Sequence, residues 1–145
     1  MNGRTVTVYL AVAISQKHEK YCREWRNTFK EHFSDEPRLK FIDPIEGKDL
    51  HKEYHPEEIY REDMKNIGKS DIILAEYMIE GYDHIGTLME LQEAYQQNMG
   101  IIVFGDKNRG HYFLEYIIDY WPHTMAEATE NLKEMTLLNK DIEYL

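Results

Sequence analysis

The sequence predicts an α/β fold: one domain, residues 1–145, on a parallel sheet of about five strands with helices on both faces. Three observations predict it. Short apolar runs alternate with longer charged segments whose apolar residues recur every three or four positions, the pattern of strands alternating with amphipathic helices. The strand-like runs are nearly continuous in apolar residues, as expected where a sheet is covered on both sides. The chain of 145 residues is 42% hydrophobic and has 11 Tyr, 5 Phe and 2 Trp, enough for one core.

The elements follow in order. Residues 6–14 (VTVYLAVAI) read as a buried first strand, rich in β-branched residues. Residues 19–32 form an amphipathic helix with Tyr21/Cys22, Trp25, Phe29 and Phe33 on one stripe. Residues 39–42 are a second strand, and 43–55, with Asp-Pro, Gly47 and many charges, a loop. Residues 56–69 are helical, with Pro56 in the first turn and Gly68 near the end. Residues 71–77 (DIILAEY) are a third strand, 78–85 a loop and 87–98 a helix closed by Gly100. Residues 101–104 are a fourth strand, 105–110 a turn, 112–119 a helix or irregular segment, and 120–123 a short fifth strand. Thr124 and Glu127 have capping-box spacing and open a last helix.

Composition restricts function. With 27 acidic and 17 basic residues the formal charge is −10, which argues against a nucleic-acid polymer as partner, because phosphate binding is driven by Lys and Arg. A local pocket can still take a small anion. The single Cys22 cannot form an internal disulfide, which points to a reducing compartment and a cytoplasmic location. No apolar run approaches the roughly 18 residues of a membrane helix. Residues 6–14 follow Arg4 and contain Ala11-Val12-Ala13, features of a short secretion signal, but Thr7 and Tyr9 interrupt the apolarity and the basic leader is minimal, so the strand reading is preferred.

In parallel sheets ligands bind beyond the carboxyl ends of the strands. Chemistry is therefore expected after Ile14, Ile42 and Tyr77 and in the loop leading into Thr87. The stretch 82–94 (YDHIGTLMELQEA) is the most informative. Gly86 lets a ligand approach the backbone closely. Thr87 would start the helix, and Glu90 would then sit in its first turn, where free N–H groups favour an ionised carboxylate, a plausible nucleophile. Thr87-x-x-Glu90 is also a capping box, and spacing alone favours that structural role. Asp63 is mid-helix, where Asp has poor propensity; a solvated helix face explains it equally well. Asp71 reads as a helix-to-strand connector. Tyr9, inside a buried run, reads as core packing whose hydroxyl needs a partner.

Taken together, several segments resemble the nucleoside 2-deoxyribosyltransferases and the related nucleoside 5′-monophosphate N-glycoside hydrolases. The matching pieces are Val8-Tyr9-Leu10-Ala11, Asp43-Pro44-Ile45-Glu46-Gly47-Lys48-Asp49, Arg61-Glu62-Asp63 with Ile67, Ser70-Asp71-Ile72-Ile73-Leu74-Ala75 and, most specific, Gly86-Thr87-Leu88-Met89-Glu90-Leu91. Each is weak alone; their order over about residues 5–135 is fairly specific. The resemblance implies a Rossmann-like or flavodoxin-like doubly wound sheet and a homodimer or larger assembly with sites shared between subunits. It implies no cofactor and no metal, with a nucleoside or nucleotide and a free base as ligands. By resemblance Glu90 is the nucleophile, Asp63 contacts the sugar and assists proton transfer to the leaving base, and Tyr9 orients Glu90. Asp43 and Ile45, in the loop after the second strand, fall on the base side. Ser15, Asp83, His84, Gly86, Thr87 and Met89 complete the substrate-binding set.

Two departures bear on the substrate. Transferases often place an aspartate six residues before the glutamate, on the sugar 5′-hydroxyl; here that position is His84, beside Asp83. Enzymes acting on 5′-monophosphates tend to lack that carboxylate, and a histidine can accept a hydrogen bond or, protonated, pair with phosphate; a solvated loop residue is an equal alternative. After the first strand, many phosphate-using relatives have a Gly-Ser-type loop, whereas this chain has Val12-Ala13-Ile14-Ser15, leaving Ser15, Gln16 and Lys17 as phosphate contacts. Nucleoside versus nucleotide therefore stays open. His51 and His55 flank Glu53 but lack the zincin order, so metal binding is not expected. Ser15, His18 and Asp43 lack a nucleophile elbow. Cys22 reads as core, and the tail 141–145 as solvated, with Ile142 and Leu145 available to a partner subunit. The rival of another class is a non-catalytic nucleotide-binding module on the same fold.

Overall fold

The computed structural model describes residues 5–11, 16–79 and 83–136. Four strands, β1 (Val6–Leu10), β2 (Leu39–Ile42), β3 (Ile72–Glu76) and β4 (Gly100–Phe104), form one parallel sheet in the order β2-β1-β3-β4. The helices are α1 (Glu19–His32), α2 (Pro56–Gly68), α3 (Ile85–Gln96), α4 (Tyr112–Ile117) and α5 (Met125–Thr136). The chain leaves β1 for β2 on one side and then crosses to β3 on the other. The topological switch point, where a ligand crevice is expected, therefore lies between β1 and β3.

The two-residue alternation of side chains divides the core into two layers. Val8, Leu10, Leu74, Ile102 and Phe104 pack against Trp25 and Phe29 of α1 and Ala128 and Leu132 of α5. Trp25 meets Phe104 edge-on, with ring centroids 5.4 Å apart. On the other face Tyr9, Ile73, Ala75, Ile101 and Val103 pack against Ile67 of α2, Leu91 and Ala94 of α3 and Leu114 of α4. Burying a large apolar side chain of this kind stabilises by roughly 1.5–3 kcal/mol. Tyr9 thus points toward α2 and α3. Among the described residues no helix is long and apolar enough to cross a membrane.

Several expectations need correction. There is no fifth strand among the described residues. Tyr120 makes one isolated parallel bridge to Ile102, and the carbonyl of Pro122 accepts from Gly105 N–H (3.0 Å), but Pro122 has no N–H with which to continue a ladder. Helix α3 begins at Ile85, two residues before Thr87, because His84 takes the N-cap position in a left-handed conformation (φ 54°). The Thr87–Glu90 capping box is therefore not formed: Thr87 is already inside the helix and Glu90 is in its second turn. The left-handed residue after α3 is Asn98 (φ 59°), while Gly100 opens β4, where a Cβ would collide with Met135. Residues 12–14 of the first apolar run and the tail 141–145 lie outside the described residues. Thr124 does cap α5, accepting from Glu127 N–H at 3.2 Å, and its hydroxyl reaches the Glu127 carboxylate at 3.1 Å.

Candidate active site

Beyond the carboxyl ends of β1 and β3 the fold brings Tyr9, Asp63 and Glu90 to one place. Tyr9 is fully buried (0% exposed), and its hydroxyl donates to Glu90 Oε2 at 2.6 Å. The phenol lies far above its ordinary titration range, first through burial and then through the negative charges of Glu90 and Asp63, so it keeps its proton and acts as a donor. A short bond from a buried neutral donor fixes the Glu90 rotamer. Glu90 is nearly buried (4% exposed) yet lines a cavity of about 360 Å³ between α2 and α3. Ile59, Tyr60, Met64 and Met89 form the cavity's apolar walls, and Gly86 opens its floor.

Asp63 sits on the wall of the same cavity. Its Oδ1 is buried without a hydrogen-bond partner among the described residues, an unsatisfied acceptor of the sort that marks a ligand, water or proton position. Burial pushes its carboxyl up to about 6, against an opposing pull from the Lys48 ammonium. Asp63 also lines a second cavity of about 170 Å³, formed by the loop after β2 with Pro44, Leu50 and Tyr54, which Glu90 does not line. Lys48 ion-pairs with Glu62 (2.7 Å) at its edge, and the ammonium groups of Lys48 and Lys52 lie 5.8 and 5.6 Å from the Tyr54 ring centre. One carboxyl that can carry a proton near neutrality and another held rigid by a phenol can together break a bond to a sugar's anomeric carbon.

The other sequence-derived candidates divide. Gly86 and Met89 line the larger cavity with Glu90. Thr87 is buried inside α3 (0% exposed), and Asp83 is exposed. Ile45 is buried in a small core with Cys22, Leu50 and Ile79. Asp43 does not line either cavity. Its carboxylate is held by Lys30 (2.8 Å) and Arg26 (3.5 Å) and accepts from Ile45 N–H (3.2 Å), so it braces the loop that carries Pro44. His84 is turned inward (1% exposed), between Glu76 and Lys107. Ser15 lies outside the described residues. Asp71 is a connector as expected, its Oδ2 accepting from Thr7 N–H at 2.9 Å. His55 caps α2 through Glu57 N–H (3.3 Å), and His51 pairs with Glu19 (3.0 Å).

Sequence reasoning passed over Arg26, which lies on the buried face of α1 and donates to the carbonyls of Leu10 (3.0 Å) and Ala11 (2.7 Å), fastening the end of β1 next to Tyr9. Helical spacing alone puts Arg26 beside Trp25 on the apolar stripe, which is the signal that could have flagged it.

No protein-family model matches the chain, and no curated protein does. Solved structures do. The 2-deoxyribosyltransferase of the psychrotolerant bacterium Bacillus psychrosaccharolyticus superposes with a TM-score of 0.66 at 15% identity, over 86% of this chain and 90% of that one. The CMP N-glycosidase BcmB of Clostridium botulinum gives 0.60 at 18% identity, over 89% and 98%. A conserved protein from Enterococcus faecalis gives 0.56 at 17% identity, over 97% and 99%. These similarities agree with the resemblance noted in the sequence motifs, and the chain has the fold shared by a 2-deoxyribosyltransferase and a CMP N-glycosidase.

Proposed function

We propose that this chain is a nucleoside 2-deoxyribosyltransferase-like enzyme that cleaves the N-glycosidic bond through a covalent sugar–Glu90 intermediate and passes the sugar to a second base. The observation that carries this reading is the Tyr9-held Glu90 carboxylate facing a cavity whose wall also holds the unsatisfied Asp63 carboxyl. A Glu90 oxygen attacks the anomeric carbon as the carbon–nitrogen bond breaks and its electron pair leaves with the base. Asp63, or a water on its Oδ1, protonates the departing nitrogen. In return, a nitrogen of the incoming base attacks the same carbon, the ester to Glu90 opens, and the proton goes back to Asp63. Attack and departure occur on opposite sides of the sugar. We therefore assign the sugar to the larger cavity beside Glu90 and the base to the smaller one that Asp63 also lines, against Tyr54.

A second reading, hydrolysis of a nucleoside 5′-monophosphate, is supported by the likeness to a CMP N-glycosidase. Water capturing the same intermediate gives that outcome, and exclusion of water decides between them. Following the family resemblance we also expect a homodimer or larger assembly.

Chromatography of a panel of nucleosides and 5′-monophosphates, with and without an acceptor base, separates the readings. Free base together with a new nucleoside indicates transfer. Free base alone, from monophosphates, indicates the hydrolase. Binding without any released base makes the chain a binding module and rejects the enzyme. Tyr9→Phe keeps the ring in the core and removes only the donor to Glu90. Its kcat should fall about tenfold, less than for loss of Glu90 itself, with the fold intact by circular dichroism. Parental activity would remove Tyr9 from the site.

A further inference from the structure

Strand β3 ends in a carboxylate that this reaction does not use. Glu76 is fully buried (0% exposed) in an otherwise apolar strand. Its Oε2 accepts from the backbone N–H groups of Met78 (2.7 Å) and Ile79 (2.8 Å) and from the Tyr21 hydroxyl (3.3 Å). Its Oε1 faces Nε2 of His84 at 3.3 Å. The other ring nitrogen, Nδ1, is 3.1 Å from Lys107 Nζ, and the ring lies against Tyr77 with centroids 4.6 Å apart. An ammonium group has donors only, so Nδ1 is the acceptor there, and the ring proton is on Nε2, directed at Glu76.

The backbone of His84 adds a second observation. Its φ of 54° is left-handed, an uncommon conformation for a non-glycine residue, although His is among those that enter it most often. This same residue is the N-cap of α3 and makes no side-chain cap bond to the helix. Its side chain is used instead to tie the start of the helix to the end of β3 through Glu76 and to the turn after β4 through Lys107. Gly86 and Glu90 follow two and six residues later.

We infer that His84 is a positioning residue: clamped between Glu76 and Lys107, it sets where α3 begins, and so aims Glu90 at the cavity, without touching the substrate. The kinetic half of this inference rests on Glu90 acting as proposed above; the structural half does not.

Two measurements test it on the full chain. In ¹⁵N-histidine NMR at neutral pH, His84 should show a protonated Nε2 and an unprotonated Nδ1, and Lys107→Met should shift the Nδ1 resonance. A proton on Nδ1, alone or with Nε2, overturns the inference. In steady-state assays with the substrate identified by the panel, at a temperature where each variant is folded, His84→Leu should lose about tenfold or more in kcat with KM within about twofold. His84→Gln, whose amide N–H can still reach Glu76, should recover part of that loss, and Lys107→Met should fall in the same direction. The preference between a 5′-hydroxyl and a 5′-phosphate should not move in any of them. A raised KM or an altered 5′ preference at unchanged kcat makes His84 a substrate contact and overturns the inference. If Glu90→Ala retains full activity, the catalytic reading fails instead, and the NMR result still decides whether the clamp exists.

Discussion

Glu90→Ala should lower kcat by about a thousandfold or more while the melting temperature stays within a few degrees. On the proposed mechanism the rate loss follows from removing the atom that bonds the sugar: what remains is the stabilisation supplied by binding and by Asp63. The small stability change follows from location. Glu90 lies on the second turn of α3 facing a cavity, and it contributes no capping bond at the helix start, which is set at His84. Glu90→Gln separates the carboxylate's two roles, since the amide oxygen can still accept from Tyr9 but is a poor nucleophile. It should be nearly as inactive as Glu90→Ala. If both variants keep parental turnover per folded molecule, the carboxylate is structural.

Asp63→Asn should be slower but more stable. Burial raises the Asp63 carboxyl from its ordinary 3.8 to about 6, so the folded chain holds a proton that the unfolded chain has released. For such a group stability is unaffected by pH below the ordinary value and declines as pH rises from there to about 6, because ionisation then has to occur in a buried site. At pH 7 the penalty is on the order of 3 kcal/mol. An asparagine cannot ionise, so its melting temperature should exceed that of the parent by several degrees at pH 7 and converge with it near pH 4 in scanning calorimetry. In the same variant kcat should fall about a hundredfold, as expected for loss of a general acid, and less for substrates whose base departs readily without a proton. A variant that is destabilised at pH 7, or as fast as the parent on poor leaving groups, contradicts this role. A gain in stability at the expense of turnover is the usual mark of a residue kept for chemistry.

Much of this was legible in the sequence because the relevant patterns are local. The apolar runs at β1, β3 and β4 announce a covered parallel sheet, and strand–helix alternation places the crevice at their carboxyl ends. Tyr9, Asp63 and Glu90 come from three elements that this topology brings together. What was illegible depends on tertiary contacts. Nothing in the spacing around Thr87 reveals that α3 starts earlier, since the left-handed His84 at its N-cap lies between Glu76 and Lys107, 8 and 23 residues away. The ion pairs that Arg26 and Lys30 of α1 make with the Asp43 carboxylate are likewise tertiary and have no sequence signature. The fifth strand fails for a local reason that the sequence does contain, the missing N–H of Pro122.

The most direct measurement is mass spectrometry of the chain after brief reaction with a 2′-fluoro nucleoside, in which fluorine slows breakdown of a glycosyl ester. Release of about one equivalent of base, with a matching mass increase of one sugar on the peptide containing Glu90, is the predicted result. Base release with no adduct on any peptide, or an adduct on a residue other than Glu90, would contradict it.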